Sequence, residues 1–181
     1  MRRFIQLAAI GVAVVAAGCA TLSVSSHIEP GLNLAQYHTF DWGPANALPT
    51  SDARLYEDPA FNDWVQGAVE RGLARKGIAL SESGAEPDLR IHYHANITER
   101  IDVDRLDQDF DFCTGEGCLP PVRTYEAGTL VIDIIDARTN RVIWRGWAQD
   151  SIKDELDDPD QMEATIQEAV ARMLTRFPRR L

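Results

Sequence analysis

Residues 128–136 read GTLVIDIID, and residues 142–148 read VIWRGWA. Both segments are rich in β-branched and aromatic side chains, which favour extended strands. The polar stretch Arg138-Thr139-Asn140-Arg141 between them is typical of a turn. The sequence therefore predicts a β-hairpin with strands at residues 129–137 and 142–150. Trp144 and Trp147 fall on opposite faces of the second strand. We expect Trp144 in the core and Trp147 either against a helix or as a surface platform, and we favour ordinary packing on the sheet over a binding role.

Two amphipathic helices are predicted outside this hairpin. Each one begins with the same pair, Asp58-Pro59 in the first and Asp158-Pro159 in the second. Aspartate is a good N-cap, and proline at the first helical position loses no N–H that the helix needs. Apolar residues follow both pairs at three- and four-residue spacing. Gly77 suits the left-handed residue that ends the first helix.

Further strands are predicted before the hairpin. Residues 37–42 alternate in the strand manner, and residues 88–98 place Arg90, His92, His94 and Asn96 on one polar face. A first strand can form at residues 23–28. The predicted order is β-α-β-β-β-α, with residues 23–28 as an additional strand. We therefore expect an α+β fold, a mostly antiparallel β-sheet with two helices packed on one face.

The N-terminus has the layout of a bacterial export signal. Arg2 and Arg3 precede an apolar stretch at residues 4–17, which is shorter than the roughly 20 residues of a membrane-spanning helix. Val15-Ala16-Ala17-Gly18-Cys19 resembles the lipobox of bacterial lipoproteins, in which the cysteine thiol carries diacylglycerol. We predict a signal peptide at residues 1–18, a lipidated tether with room for a first strand at 19–35, and one domain at 36–178 that contains an acidic insert at 99–126. The resemblance and Ala20 after the cysteine imply an outer-membrane anchor, with the domain facing the periplasm.

The composition excludes some partners and supplies no enzyme motif. The chain carries a formal net charge of −10, so it repels phosphate backbones, and we expect no nucleic acid partner. No G-x-S-x-G motif, phosphate-binding glycine loop or H-E-x-x-H motif is present. We predict that the protein is not an enzyme and needs no cofactor.

An acidic insert at residues 99–126 contains two cysteines, Cys113 and Cys118. Export exposes them to an oxidising compartment, and two glycines between them let the loop turn tightly, so we predict a structural disulfide. The alternatives are free thiols and a redox role. Aspartates at alternating positions suggest a calcium loop, but Phe112 and Cys118 occupy the places that need glycine and glutamate. A solvated acidic loop fits the insert better.

His92 and His94 lie two residues apart on one predicted strand, so both imidazoles project from the same face. Such a pair can bind zinc or copper only with a third or fourth ligand, which the sequence does not place beside it. We interpret both as solvated residues of the polar face and keep a metal site as the alternative.

Several motifs together resemble the bacterial lipoproteins grouped as domain of unknown function 4136. Residues 37–42 (YHTFDW) resemble the family's opening Y-x-T-F-x-W, and Pro87-Asp88-Leu89 followed by Tyr93 is similar to its PDL strand. Residues 70–77 resemble the family's helix that ends in a basic residue followed by Lys-Gly. The hairpin of residues 128–148 is the best match. The resemblance implies a fold and a location, and it transfers no catalytic residue because the family has no agreed activity.

We therefore expect a lipid-anchored envelope protein whose domain is a binding or structural module. It meets the membrane through the lipid on Cys19, and its partner is another envelope protein or a cell-wall component. The alternative is a metal-binding protein or enzyme of the envelope built on His92 and His94.

Overall fold

The computed structural model of the protein describes residues 22–43, 52–56, 58–101, 124–152 and 155–178. Within these ranges the chain forms six strands: β1 (Ser23–Ile28), β2 (Thr39–Trp42), β3 (Ala79–Leu80), β4 (Leu89–Ile101), β5 (Thr124–Asp136) and β6 (Arg141–Ser151). The same ranges contain three α-helices: α1 (Ala53–Tyr56), α2 (Pro59–Ala74) and α3 (Pro159–Thr175).

The strands form one sheet in the order β1-β6-β5-β4-β2-β3. The pairs among β1, β6, β5 and β4 are antiparallel, whereas β2 runs parallel to β4 and β3. A parallel pair needs a long connection, and here the segment containing α2 joins β2 to β3. The predicted fold class, an α+β fold with a mostly antiparallel sheet, is confirmed.

Both long helices begin where the sequence predicts. The Asp58 carboxylate accepts the Ala60 N–H at 2.9 Å, and Asp158 caps the other helix in the same way. The helices pack on one sheet face, where the buried indole of Trp144 meets the ring of Phe177 edge-on, with 5.5 Å between ring centres. Trp144 is thus a core residue, as expected.

Two short elements, α1 and β3, were not predicted. Backbone hydrogen bonds hold β3 beside β2: the Ala79 N–H donates to the carbonyl oxygen of His38, and the Ser81 N–H donates to that of Phe40. Four-residue and two-residue segments are too short to carry a periodic signal in the sequence. Tertiary contacts therefore decide both elements.

The long strands extend further than predicted. β4 continues to Ile101 and β5 begins at Thr124, and these two residues are paired. The two ends of the acidic insert are therefore strand, while Cys113, Cys118 and the aspartates between the ends lie outside the described residues.

The sheet includes a strand within the segment predicted as tether and first strand. β1 forms at residues 23–28, where a first strand was expected, and pairs with β6 along its whole length. Leu22, just before it, is buried in the core. Residues 1–18 and Cys19 lie outside the described residues. None of the described helices is both long and apolar enough to cross a membrane.

The core is close-packed at two glycines. A Cβ atom on Gly146 would lie 2.2 Å from the Trp144 ring, and one on Gly72 would lie 2.2 Å from Cδ1 of Leu174 on α3. Gly146 therefore makes room for the buried indole, and Gly72 lets α2 approach α3.

We expect Gly72→Ala to destabilise the domain because the new methyl group overlaps Leu174, and overpacking a core costs about 1–3 kcal/mol. Gly67→Ala on the same helix is the matched control, since its Cβ would touch only the flexible end of Arg71. Alanine should improve helix propensity by up to about 1 kcal/mol at both positions. The free energy of unfolding, measured in urea, should be lower for Gly72→Ala than for Gly67→Ala. Equal values would contradict tight packing of α2 against α3.

Candidate functional site

The sheet face opposite to α2 and α3, called the outer face below, carries most of the polar candidates. Strand alternation and register decide which side chains share this face. They are Arg90, His92, His94 and Asn96 on β4; Thr129, Val131, Asp133 and Ile135 on β5; Val142, Arg145, Trp147 and Gln149 on β6; and Ser23, Ser25 and His27 on β1. These residues come from β4, β5, β6 and β1, the four strands with the most extensive pairing.

An ion pair with a buried carboxylate and a half-exposed guanidinium lies in the middle of the outer face. Asp133 is paired in register with His92 on one side and Arg145 on the other. The Arg145 guanidinium donates from Nε and Nη2 to the two carboxylate oxygens of Asp133, at 2.5 and 2.6 Å. The Asp133 side chain is 3% exposed and that of Arg145 is 47% exposed. The hydrogen bond to Asp133 raises the pKa of Arg145, so the arginine stays charged and its guanidinium is held in one orientation.

The sequence interpretation missed Asp133. The sequence did contain a signal: Asp133 is an ionisable residue inside a run of valine and isoleucine. Its side chain projects from the same face of the sheet as the polar residues of the neighbouring strand β4. A charge at such a place is stable only with a partner, because an unpaired buried carboxylate is costly. The partner lies 12 residues away on β6, and register alone brings the two together.

His92 and His94 project from β4 onto the outer face, as predicted, but they are partly buried rather than fully solvated. The imidazole of His92 lies against the backbone of Gly43, where a Cβ atom would come within 1.8 Å of Nε2. Nε2 of His94 is buried and has no hydrogen-bond partner among the described residues. Burial lowers the pKa of both residues, and Asp133 partly opposes the shift in each.

The described residues contain no group of three or more histidine, cysteine, aspartate or glutamate side chains arranged to hold a metal ion. Asp133 is the acidic side chain in register with His92, and Arg145 already occupies both of its oxygens. The structure thus brings His92, His94 and Asp133 together but commits the carboxylate to an arginine.

Trp147 is the exposed aromatic residue of the outer face. Its side chain is 37% exposed and lies between Val131 on β5 and Ser25 on β1. Next to it on β6, the Gln149 amide donates to the Thr129 hydroxyl at 2.9 Å. Trp147 therefore does not pack against the helices, and its partly exposed ring between neighbouring strands agrees with the expected packing on the sheet.

Two other carboxylates, those of buried Asp136 and half-buried Asp88, hold the fold together. The Tyr37 hydroxyl donates to Asp136 at 2.8 Å, and the His38 and Thr39 N–H groups donate to Asp88 at 2.7 and 3.0 Å. Burial, together with the bond to Asp136, raises the pKa of Tyr37 to about 12, so the phenol remains a donor at neutral pH. These hydrogen bonds therefore join the residues at the start of β2 to Asp88, just before β4, and to Asp136, the last residue of β5.

These residues border a polar cleft of about 190 Å³, whose lining consists of Gln36, Tyr37, Pro87, Asp88, Asp136 and Arg138. Burial alone would raise the pKa of Asp136, but hydrogen bonds from Thr139, Tyr37 and Arg138 outweigh it and lower the pKa. Both carboxylates are thus satisfied by the protein itself, and the outer face is the better candidate site.

The profile of the family described as domain of unknown function (DUF4136) matches residues 24–179, and the chain belongs to that family. No curated protein matches the chain. A DUF4136 family protein from Bacteroides thetaiotaomicron has a similar structure, with a TM-score of 0.56 and 13% identity over 87% of this chain and 96% of that one. A PDZ domain protein from Parabacteroides distasonis has a TM-score of 0.53 and 15% identity over 88% of this chain, which spans only 37% of that protein. These likenesses show the fold.

We expect the stability of the domain to fall as the pH drops below about 6.5, the ordinary histidine pKa. The folded state lowers the pKa of His92 and His94, so the unfolded chain binds more protons in this range, and acidification favours unfolding. The contribution is present above pH 6.5 and is lost as the pH falls through the folded-state pKa values. Its slope is at most about 1.4 kcal/mol per pH unit for each histidine, and solvent screening of these partly exposed rings reduces it.

The measurement is the free energy of unfolding in urea between pH 7.5 and 5.5. The double variant His92→Gln/His94→Gln should show a shallower pH dependence than the wild type. His27→Gln, which alters an exposed imidazole on β1, is the control. An unchanged slope in the double variant would show that the two histidines titrate alike in both states.

Proposed function

We propose that the protein is an envelope lipoprotein anchored through Cys19, whose domain binds a partner through the outer face of its sheet. The export signal and the lipobox-like residues 15–19 support the anchor. Two acyl chains hold a protein stably on a membrane, so the domain needs no apolar surface of its own for attachment. Ala20 supports an outer-membrane location facing the periplasm.

The observation that carries the binding role is the exposed Trp147 beside the fixed Arg145–Asp133 pair. Tryptophan and arginine are enriched among the residues that dominate binding energies. The guanidinium is already oriented by two hydrogen bonds, so less conformational freedom is lost when a ligand binds. The site lies on four paired strands, which hold its side chains more precisely than a loop would.

A metal-binding role for His92 and His94 is the competing proposal. It would need a ligand other than Asp133, because both oxygens of that carboxylate bond to Arg145. Elemental analysis of the native protein separates the two proposals. Stoichiometric zinc or copper that disappears in His92→Ala/His94→Ala would favour the metal.

Mass spectrometry of the protein from envelopes should find a mature N-terminus at Cys19 bearing diacylglycerol. Cys19→Ser should remain unprocessed, because serine lacks the thiol that carries the lipid. Another mature N-terminus would refute the anchor.

Iodoacetamide under denaturing, non-reducing conditions should label neither Cys113 nor Cys118, since we predict that a disulfide joins them. Two labelled cysteines would refute the disulfide.

A photo-crosslinking residue in place of Ser25 or Gln149, the neighbours of Trp147, should capture a specific partner in intact cells. The same residue in place of Gln167, on the exposed side of α3, is the control for nonspecific capture. Adducts from the outer-face positions that are missing at Gln167 support the proposal. Equal adducts at all three positions, or no adduct with either a protein or a cell-wall component at the outer face, would argue against it.

A further inference from the structure

We propose that the outer face binds an uncharged glycan, with one sugar ring stacked on the indole of Trp147. This inference rests on the binding role proposed above and specifies the chemical class of the ligand. It also assigns separate tasks to Trp147, Arg145 and Gln149.

Trp147 places a partly exposed indole inside the sheet rather than at its edge. β6 lies between β1 and β5, and the ring is flanked by Ser25 on one side and Val131 on the other. One face of a pyranose ring presents aliphatic hydrogens, which pack well on the electron-rich face of an exposed aromatic ring. The indole of Trp147 is partly exposed and is similar in size to one sugar ring.

Planar polar groups border Trp147 on both sides along β6. Asp133 holds the Arg145 guanidinium, and Thr129 holds the Gln149 amide through a hydrogen bond of 2.9 Å. Asp133 uses two of the five guanidinium N–H donors, and the Gln149 carbonyl oxygen can still accept. Sugar hydroxyls both donate and accept hydrogen bonds, so fixed donors and acceptors beside an aromatic ring suit them.

The charge balance of the surface favours an uncharged sugar over an anionic one. Asp133 neutralises Arg145 at the centre of the face. Burial lowers the pKa of His92 and His94, which supports neutral imidazoles at pH 7 beside the charged groups Arg90, Asp133 and Arg145. The chain as a whole carries a net charge of −10 and repels anionic polymers.

The same surface fits a glycan better than a protein. The core of a protein interface is mostly apolar and poor in charged residues. Among the described outer-face residues, Trp147 and Val142 are the large apolar side chains that are exposed, and Arg145 lies between them along β6. The apolar area is therefore divided rather than continuous.

The test uses the native full-length lipoprotein in a detergent without a sugar head group, so that the detergent does not compete. The uncharged probes are maltohexaose, cellohexaose and chitohexaose, and the anionic probe is hexagalacturonate. Binding is followed by calorimetry and by tryptophan fluorescence. We expect at least one uncharged hexasaccharide to bind, and Trp147→Ala to weaken its binding by about tenfold or more. Trp147→Phe, which keeps an aromatic ring, should restore part of the affinity.

Val142→Ala is the matched control, because Val142 is 45% exposed on the same strand and face. It should change the Kd by no more than about twofold. Thermal unfolding of each variant shows whether a loss of binding comes from a loss of folding. Because Trp147→Phe keeps the aromatic volume, it tests the proposal even if the alanine variant unfolds.

The glycan inference is overturned if no uncharged probe binds at about 10 mM, if only hexagalacturonate binds, or if Trp147→Ala binds as tightly as the wild type. Crosslinking from positions 25 and 149 then separates the two proposals. A specific protein adduct without glycan binding would refute the glycan and keep the binding role. The absence of both would refute both.

Discussion

The antiparallel register between β5 and β6 determines which side chains meet the helices and which lie on the outer face. It places Trp144 in the core against Phe177 and turns Arg145 and Trp147 to the opposite face. A slip of one residue would exchange the two faces, so the large buried indole strongly disfavours it. Gly146 makes this arrangement possible, since any side chain there would overlap the Trp144 ring.

Carboxylates that bond to other protein groups have two separate tasks in the domain. Asp88 and Asp136 bind backbone N–H groups and the Tyr37 hydroxyl, and they join strand ends that are far apart in sequence. Asp133 instead orients an arginine that reaches the surface. The first pair is satisfied inside the protein, whereas the Asp133–Arg145 pair leaves guanidinium donors for a ligand. This difference distinguishes the outer face from the polar cleft at Tyr37.

The proposed location and the proposed ligand are physically compatible. A lipid on Cys19 would hold the domain at the membrane without a membrane-binding surface on the domain itself. β1 starts four residues after Cys19 and forms an edge of the sheet next to β6. The anchor would therefore enter the domain beside the strand that carries Trp147, close to the proposed glycan surface.

The sequence by itself determined the fold class, the two long helices and five of the six described strands. Their signals are local: Asp-Pro caps, three- and four-residue periodicity, and strand alternation all act within a few residues. The sequence also placed Trp144 in the core and His92 and His94 on one polar face. Only the tertiary structure decided α1, β3, the parallel pairing of β2 and the partner of Asp133. Those features depend on contacts between residues that are distant in the chain, and local patterns carry no information about which distant groups will meet.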